Sequence, residues 1–429
     1  MLKNLKIDIH GASHSEKIGL RLAGIKKGEN IDIKELQSFA DRRKASDAVY
    51  STSRIEPDEL VFVSGIENGR TTGGDIVIEI KNTNFKKNDY AELKNIPRPS
   101  HADYPAFIKY SGRLNMSGGG PFSGRMTLPL CAAGGIAKQI LFNQGITTKA
   151  LVAEIGGINS DKGDMTAPIL SAVKNAGAEG DSLGGIIEAT AVNVPVGLGG
   201  PLFEGLESRL SALLFGIPAV KGIEFGSGFG ITRMKGSEAN DAYFHNNGKI
   251  STKTNNNGGI VGGMTNGMPV TLRVAIKPTP SISKPQDSVD LKTNKNVRLE
   301  IKGRHDVCIV PRAVVCVEAA LALALLDCGY DKQQIFEDGD KLSELRKNIS
   351  LTDAEILKLF GERMSYVKEL AAEKQKLGKS INDPAREKEI LEDITRNAPE
   401  EIAEYAKELY NGVFEISKTY QKNLTEKKK

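Results

Sequence analysis

The sequence predicts an α+β domain followed by an all-helical one, and three observations carry that expectation. Of the 45 glycines in 429 residues, 41 fall within residues 1–330, together with all five histidines and all four cysteines. Within that part, strand-like runs alternate with helix-like stretches. The last 99 residues hold only four glycines but 40 charged side chains, 21 acidic and 19 basic, which is the composition of a charged helical segment. The chain is thus read as a domain over 1–329, a short polar linker over 330–340 and a helical domain over 341–429.

The elements follow in order. Residues 75–80 and 270–276 read as strands, and residues 130–143 and 314–326 as helices. Glycine-rich connections at 117–120, 226–230 and 255–263 let backbone approach a ligand closely, although a plain turn explains any one of them alone. In the helical part, Leu342, Leu345, Ile349, Ile356, Leu359, Phe360, Val367 and Leu370 recur at near-helical spacing, so 342–376 is expected to form one uninterrupted amphipathic helix. At 1.5 Å per residue it spans about 50 Å, too long to stand alone. A second helix should start at Pro384 with Asp383 as its N-cap. A third should run from about Pro399 to Gln421.

Charge and composition exclude several classes. The 58 basic and 54 acidic residues leave a net charge of +4, which gives no electrostatic case for nucleic acid. The N-terminal run has no apolar signal core, and no stretch approaches the roughly 18 apolar residues of a membrane span. A cytoplasmic location with no membrane partner is therefore expected. Cys131, Cys308, Cys316 and Cys328 stand in apolar surroundings without a Cys-x-x-Cys pair, as buried structural thiols do. No metal-ligand spacing is present.

The polar contexts of His14, His101 and the pair His305-Asp306 stand out. A single histidine is more often a surface or satisfied core residue than a catalytic one. Beside Arg43, Arg54, Arg98, Arg125, Arg304 and Arg312, however, the histidines and Asp306 offer proton transfer next to an anion site.

Five segments make this specific. They are Arg98-Pro99-Ser100-His101-Ala102-Asp103-Tyr104, Gly118-Gly119-Gly120-Pro121-Phe122-Ser123-Gly124-Arg125, the run 254–263, Lys277-Pro278-Thr279-Pro280-Ser281-Ile282, and Gly303-Arg304-His305-Asp306 followed by Val310-Pro311-Arg312-Ala313. In this order they resemble the chorismate synthase family, over roughly residues 1–329. The resemblance implies a β-α-β sandwich, usually assembled as a tetramer. It also implies a lyase that eliminates phosphate from 5-enolpyruvylshikimate 3-phosphate to give chorismate, with reduced FMN (FMNH2) bound beside the substrate. By motif, His14 would face the leaving phosphate, His101 would protonate the reduced flavin, and Asp306 would help draw a proton from it. Flavin contacts would come from Phe122, Ser123, Ala219, Gly262, Lys277, Pro278, Thr279, Pro280, Ser281 and Arg304. Arg43, Arg54 and Arg125 would bind the substrate's phosphate or carboxylates, or NADPH as reductant in members that use it.

The chain departs from that pattern at three places. Gly11-Ala12-Ser13-His14-Ser15 replaces Gly-Glu-Ser-His-Gly. Arg42-Arg43-Lys44-Ala45-Ser46-Asp47-Ala48-Val49 stands where the family has Arg-Arg-x-Pro-Gly followed by another arginine, and Asp47 is an acid beside an anion site. Pro121 follows the triple glycine in place of a polar or basic residue. An alternative reading therefore keeps an active mutase, argued next, behind a synthase-like part that only binds ligand or assembles.

In the helical part, Arg346, Arg363, Lys374, Asp383, Arg386, Glu387, Ser417 and Gln421 resemble the all-helical class of chorismate mutase over about 341–422. The implied reaction is the Claisen rearrangement of chorismate to prephenate. It is unimolecular and needs no nucleophile or metal, and this segment has neither His nor Cys. It does need cations that fold the substrate and donors at the breaking ether bond. The resemblance gives the carboxylates to Arg363 and Arg386, the ether oxygen to Lys374 and Gln421, and the C4 hydroxyl to Glu387 near Asp383. Lys374 lies 11 residues after Arg363, a net rotation near 20°, so both share one helix face. Arg346 lies 17 residues before Arg363, about 25 Å away along the axis. One chain cannot bring both to one small dianion, so an antiparallel dimer is expected.

Overall fold

In a computed structural model, residues 2–44, 57–83, 95–246, 248–301, 305–331 and 341–426 are described. The chain divides into two units, Met1–Lys332 and Gln333–Lys429.

Alternation along Ile76–Lys81, and along Lys17–Ala23 apart from the buried Gly19, builds the first sheet. Antiparallel register sets Ile18 opposite Ile80, Leu20 opposite Ile78 and Leu22 opposite Ile76. All six side chains are fully buried, because a period of two sends one set of residues to one face. The strand order is Lys6–His10, Lys17–Ala23, Ile76–Lys81, Val61–Ser64. A second antiparallel sheet runs Val220–Phe225, Val270–Ile276, Gly185–Val192, Thr147–Ile155, Ile158–Asn159.

Two helices, Thr127–Asn143 and Val310–Gly329, are buried almost all round, as expected of helices without a polar face. They pack along each other, the first also against the first sheet and the second against the second sheet. A Cβ on Gly134 would collide with the backbone of Ala319, so that glycine sets how closely the helices approach. The result is the β-α-β sandwich that the sequence led us to expect. Both helices begin a turn earlier than periodicity indicated. Pro311 lies in the first turn, where a proline's missing N–H has no helical partner to lose.

The C-terminal end of Val310–Gly329 is locked to the chain's start. Asp327, fully buried, accepts from the backbone N–H groups of Lys3, Asn4 and Leu5 and from Arg209 Nη1. Asp331 accepts from Arg209 Nη2 at 2.8 Å and Asn4 Nδ2 at 2.8 Å, so residues 330–331 are held by this unit. All four cysteines are buried and free.

The second unit is three helices: Lys341–Lys376, Pro384–Asn397 and Ala403–Glu426, the last entered through a 3-10 turn at Glu400–Ile402. Asp383 caps the second, its side chain accepting from Arg386 N at 3.2 Å. The third continues five residues past Gln421. Among the described residues, Val367, Ala371 and Phe414 are the buried hydrophobic side chains of this unit, joined by Ser417 and Gln421. Leu345, Ile349, Ile356, Leu359 and Leu370, all on the predicted apolar stripe, are 49–63% exposed. No helix among the described residues is long and apolar enough to cross a membrane.

Candidate active sites

The triple glycine brings two of the predicted residues together. Gly118, Gly119 and Gly120 all have positive φ, at 61°, 89° and 53°, a path that side chains with a Cβ rarely take. A Cβ on Gly118 would collide with His14 Nε2, and one on Gly119 would lie 3.5 Å from His101 Nε2. The two imidazoles thus flank successive residues of one bare stretch of backbone. The Gly11–Ser15 turn that carries His14 is closed by its own departure from the family pattern. Ser15 Oγ donates to Ala12 O and accepts from Ala12 N.

A buried ionic chain links this loop to Asp306. Asn82 Nδ2 donates to Ser15 O at 2.6 Å, and Asn82 Oδ1 accepts from Arg125 Nε at 2.5 Å. Arg125 Nη1 donates to Asp58 Oδ1 at 2.7 Å, and Arg43 Nη2 to Asp58 Oδ2 at 2.9 Å. Arg43 O accepts from Arg312 Nε at 3.0 Å, and Arg312 Nη1 donates to Asp306 Oδ2 at 2.6 Å. Burial by itself would push the Asp58 carboxyl up, but the guanidinia of Arg43 and Arg125 outweigh it and hold it below the usual range.

On the other side of the loop, His101 Nδ1 lies 2.7 Å from Asp103 Oδ1 and 3.1 Å from Arg98 Nη2. Arg98 grips Asp103 through its backbone N, Nε and Nη2, and reaches Ser281 Oγ through Nη1 at 3.2 Å. Burial opposes ionisation of Asp103, yet Arg98 and His101 hold its carboxyl well below the usual carboxylate range. His305 is pushed down by burial and by the same Arg98.

The flavin-assigned segment 277–281 adjoins this cluster. Lys277 Nζ donates to Ser100 O at 2.8 Å, and Lys277 N donates to Ala219 O at 2.9 Å. Ser100 and Ala219 both have positive φ. Burial, then Lys221, pulls the Lys277 ammonium below its ordinary pKa. Ser123 caps the turn that carries Arg125, and Phe122 is 39% exposed. Gly262 stands elsewhere, in the hairpin of Ile260–Val261 and Met264–Thr265, and its neighbour Gly263 accepts from Leu206 N. Arg54, Arg304 and Asp47 lie outside the described residues.

Two observations test whether these residues suit a phosphate-bearing flavin and a phosphorylated substrate. The Thr279 hydroxyl and Arg43 Nε are buried with no hydrogen-bond partner among the described residues, an expensive state that a polar ligand relieves. At Gly119, between the two histidines, a Cβ would meet nothing closer than 3.5 Å, so that stretch of backbone is open to a ligand. The residues fit.

In the helical unit, Arg363, Val367, Ala371 and Lys374 form one stripe of the long helix, with Val367 and Ala371 buried. Arg363 Nη1 donates to Ser417 Oγ at 2.6 Å, and Lys374 Nζ to Ile381 O at 2.9 Å. Ser417 and Gln421, one turn apart, are each 5% exposed. Glu387 Oε2 lies 3.5 Å from Lys418 Nζ. Arg386 points to solvent instead, its Nη1 donating to Glu389 Oε2 at 2.5 Å from a side chain 61% exposed. Arg346 occupies the N-terminal part of the same helix, and its side chain lies outside the described residues.

Sequence reasoning missed Asp58, Asn82 and Asp103. Asp103 was within reach, two residues after His101 in a quoted segment. Asp58 and Asn82 lie 67 and 43 residues from Arg125, with no local pattern to single them out.

Comparison with known proteins agrees with this architecture. Residues 5–329 match the family model "Chorismate synthase", and residues 345–422 match "Chorismate mutase type II". The chain is 43% identical over 344 residues to the chorismate synthase of Korarchaeum cryptofilum, covering 76% of this chain and 95% of that protein. It is 42% identical over 341 residues to that of Thermococcus kodakarensis, with 76% and 96% covered. A solved structure described as a chorismate synthase superposes with a TM-score of 0.58 at 26% identity, over 76% of this chain and 92% of that one. Both matched families are enzymes of the shikimate pathway, a lyase that requires reduced flavin and an isomerase. The chain therefore belongs to the chorismate synthase family, and it continues into a type II chorismate mutase segment.

Proposed function

We propose that one polypeptide catalyses two consecutive reactions. Its N-terminal unit, ending near residue 329, eliminates phosphate from 5-enolpyruvylshikimate 3-phosphate to give chorismate. Its C-terminal unit, joined through 330–340, rearranges chorismate to prephenate. The observation that carries the first reading is the pairing of His14 and His101 on adjacent glycines, with Asp306 joined to the same arginine chain.

Reduced FMN, when bound, would supply transient electron density for the loss of phosphate. Phe122, Ser123, Ala219, Gly262, Arg304 and residues 277–281 would hold it. His14 meets the departing phosphate, and Arg43, Arg54 and Arg125 bind the substrate's anionic groups. His101 delivers a proton through Nε2. Asp306, oriented by Arg312, accepts one. Ser15 closes the His14 turn, so the lost glycine does not unmake that loop, and this favours an active synthase over a degenerate one.

In the mutase unit Arg363 and Arg386 bind the carboxylates, Lys374 and Gln421 the ether oxygen, and Glu387 the C4 hydroxyl, with Asp383 and Ser417 in support. Arg386 must turn from Glu389 to reach the substrate, a cheap motion for an exposed i,i+3 pair. The helix Lys341–Lys376 is one element of 36 residues, so Arg346 must come from a second chain. The exposed Leu345, Ile349, Ile356 and Leu359 give that chain an apolar face to cover. Mutase units pair as antiparallel dimers, and the synthase units assemble as tetramers.

The test is product identity when purified protein meets 5-enolpyruvylshikimate 3-phosphate and anaerobically reduced FMN. Prephenate is expected. Accumulated chorismate would remove the mutase, and no product would favour the degenerate synthase. Oxidised FMN alone should give nothing, and NADPH in air little, because the arginine that follows the family's loop is unmatched here.

A further inference from the structure

We propose that Asp103 is the positioning residue of His101: it accepts a hydrogen bond from Nδ1–H, fixes the imidazole tautomer, and leaves Nε2 as the one nitrogen facing the glycine loop. This rests on the proton-transfer role given to His101 above and adds the group that sets it.

Two contacts compete for Nδ1, and their geometry decides between them. Arg98 Nη2 is a donor only, and Asp103 Oδ1 is an acceptor only. Were Nδ1 unprotonated, two acceptors would face each other at 2.7 Å in a half-buried site, where such repulsion is poorly screened. With Nδ1 protonated, that contact becomes a short charge-assisted bond. Arg98 Nη2, 3.1 Å from Nδ1, meanwhile has a better use in donating to Asp103 Oδ1 at 2.9 Å. Asp103 cannot swing away, because Arg98 Nε and the Arg98 backbone N–H hold its other oxygen at 2.7 and 3.0 Å. Arg98 is fixed in turn by Ser281, in the segment assigned to the flavin.

Four segments set charges near this group. The segment 98–103 carries Arg98 and Asp103. The strand end at Ile276 carries Lys277, whose Nζ reaches Ser100 O. His305 feels the charge of Arg98, and the glycine loop brings His14 onto Gly118, next to the Gly119 that His101 approaches. Among these the one anion touching His101 is Asp103, while Arg98 opposes protonation. Removing the carboxylate leaves the ring beside an uncompensated guanidinium free to donate to Nδ1. The imidazolium is then disfavoured, and the neutral ring switches to the Nε2–H tautomer.

The test uses the full chain with 15N-labelled imidazoles, read by NMR across pH, with the resonance assigned by Asp103-independent loss in His101→Gln. In the unmodified protein the neutral ring of His101 should be the Nδ1–H tautomer. In Asp103→Asn the neutral ring should populate Nε2–H, and the alkaline limb of synthase kcat/KM should move to lower pH. Asp103→Glu should restore part of both changes. An Nε2–H neutral ring in the unmodified protein overturns the proposal without any variant having to fold. A uniform activity loss in Asp103→Asn with an unmoved His101 tautomer and an unmoved pH profile also overturns it, leaving Asp103 purely structural. If the tautomer and pH profile behave as expected but His101→Gln turns over normally, the dyad stands and the proton-transfer role of His101 fails.

Discussion

Arg43 Nη2 donates to Asp58 Oδ2 at 2.9 Å, and both side chains are almost wholly shielded from solvent. The second oxygen of that carboxylate takes Arg125. One buried anion thereby aligns two cations assigned to the substrate and keeps their mutual repulsion from opening the site. Breaking such a pair from one side leaves uncompensated buried charge, at a cost of about 3–5 kcal/mol. Asp58→Asn should lose stability on that scale at pH 7. The folded carboxyl is depressed, so its contribution is complete above the unfolded value near 3.8 and disappears as pH falls through the lower folded value. Urea melts at pH 7 and pH 3 should show the gap between parent and variant narrowing toward acid. A gap that stays constant would mean the carboxylate is not the ionised partner.

His101→Ala and Asp306→Ala should each lower synthase turnover by roughly two orders of magnitude or more, the scale for positioned acid and base groups. Mutase activity, measured by feeding chorismate directly, should stay intact in both. Near-normal chorismate formation in either variant removes that residue from the proton-handling set.

Gln421 lies buried one turn after Ser417, and as an amide it can donate to the ether oxygen at any pH. Mutase activity should therefore extend unchanged through neutral pH. Gln421→Glu should lose it near pH 7 by about tenfold or more and regain it toward pH 5, where a carboxyl can donate again. Equal activity of parent and variant across that range would exclude Gln421 from the ether contact.

Arg346→Ala and Arg363→Ala should each be nearly inactive as mutases, because each removes a charge-assisted contact to a carboxylate. Mixed after denaturation, they should complement. In an antiparallel heterodimer one site receives both intact arginines and the other both lesions. Random reassortment makes about half the dimers heterodimers, so roughly a quarter of all sites recover. No recovery, with heterodimers confirmed by mass, would show that both arginines serve one site within one chain.

What the sequence determined by itself is whatever the covalent chain repeats locally. The two-residue period of Ile76, Ile78 and Ile80, the helical stripe through Val367, the Asp383 cap before Pro384, and the separation of Arg346 from Arg363 all follow from fixed rise and rotation per residue. The motif segments likewise carried His14, His101 and Asp306 as chemically matched types. Tertiary structure alone decided which charges neutralise which. Arg312 meets Arg43 across 269 residues, and Arg98 meets Ser281 across 183. Asp58 became the partner of two arginines, and Arg386 went to Glu389 instead of inward. No local period encodes such choices. A buried ion keeps its charge only where packing delivers a counter-ion, and that packing is set by the close contact of the helices Thr127–Asn143 and Val310–Gly329 between two sheets.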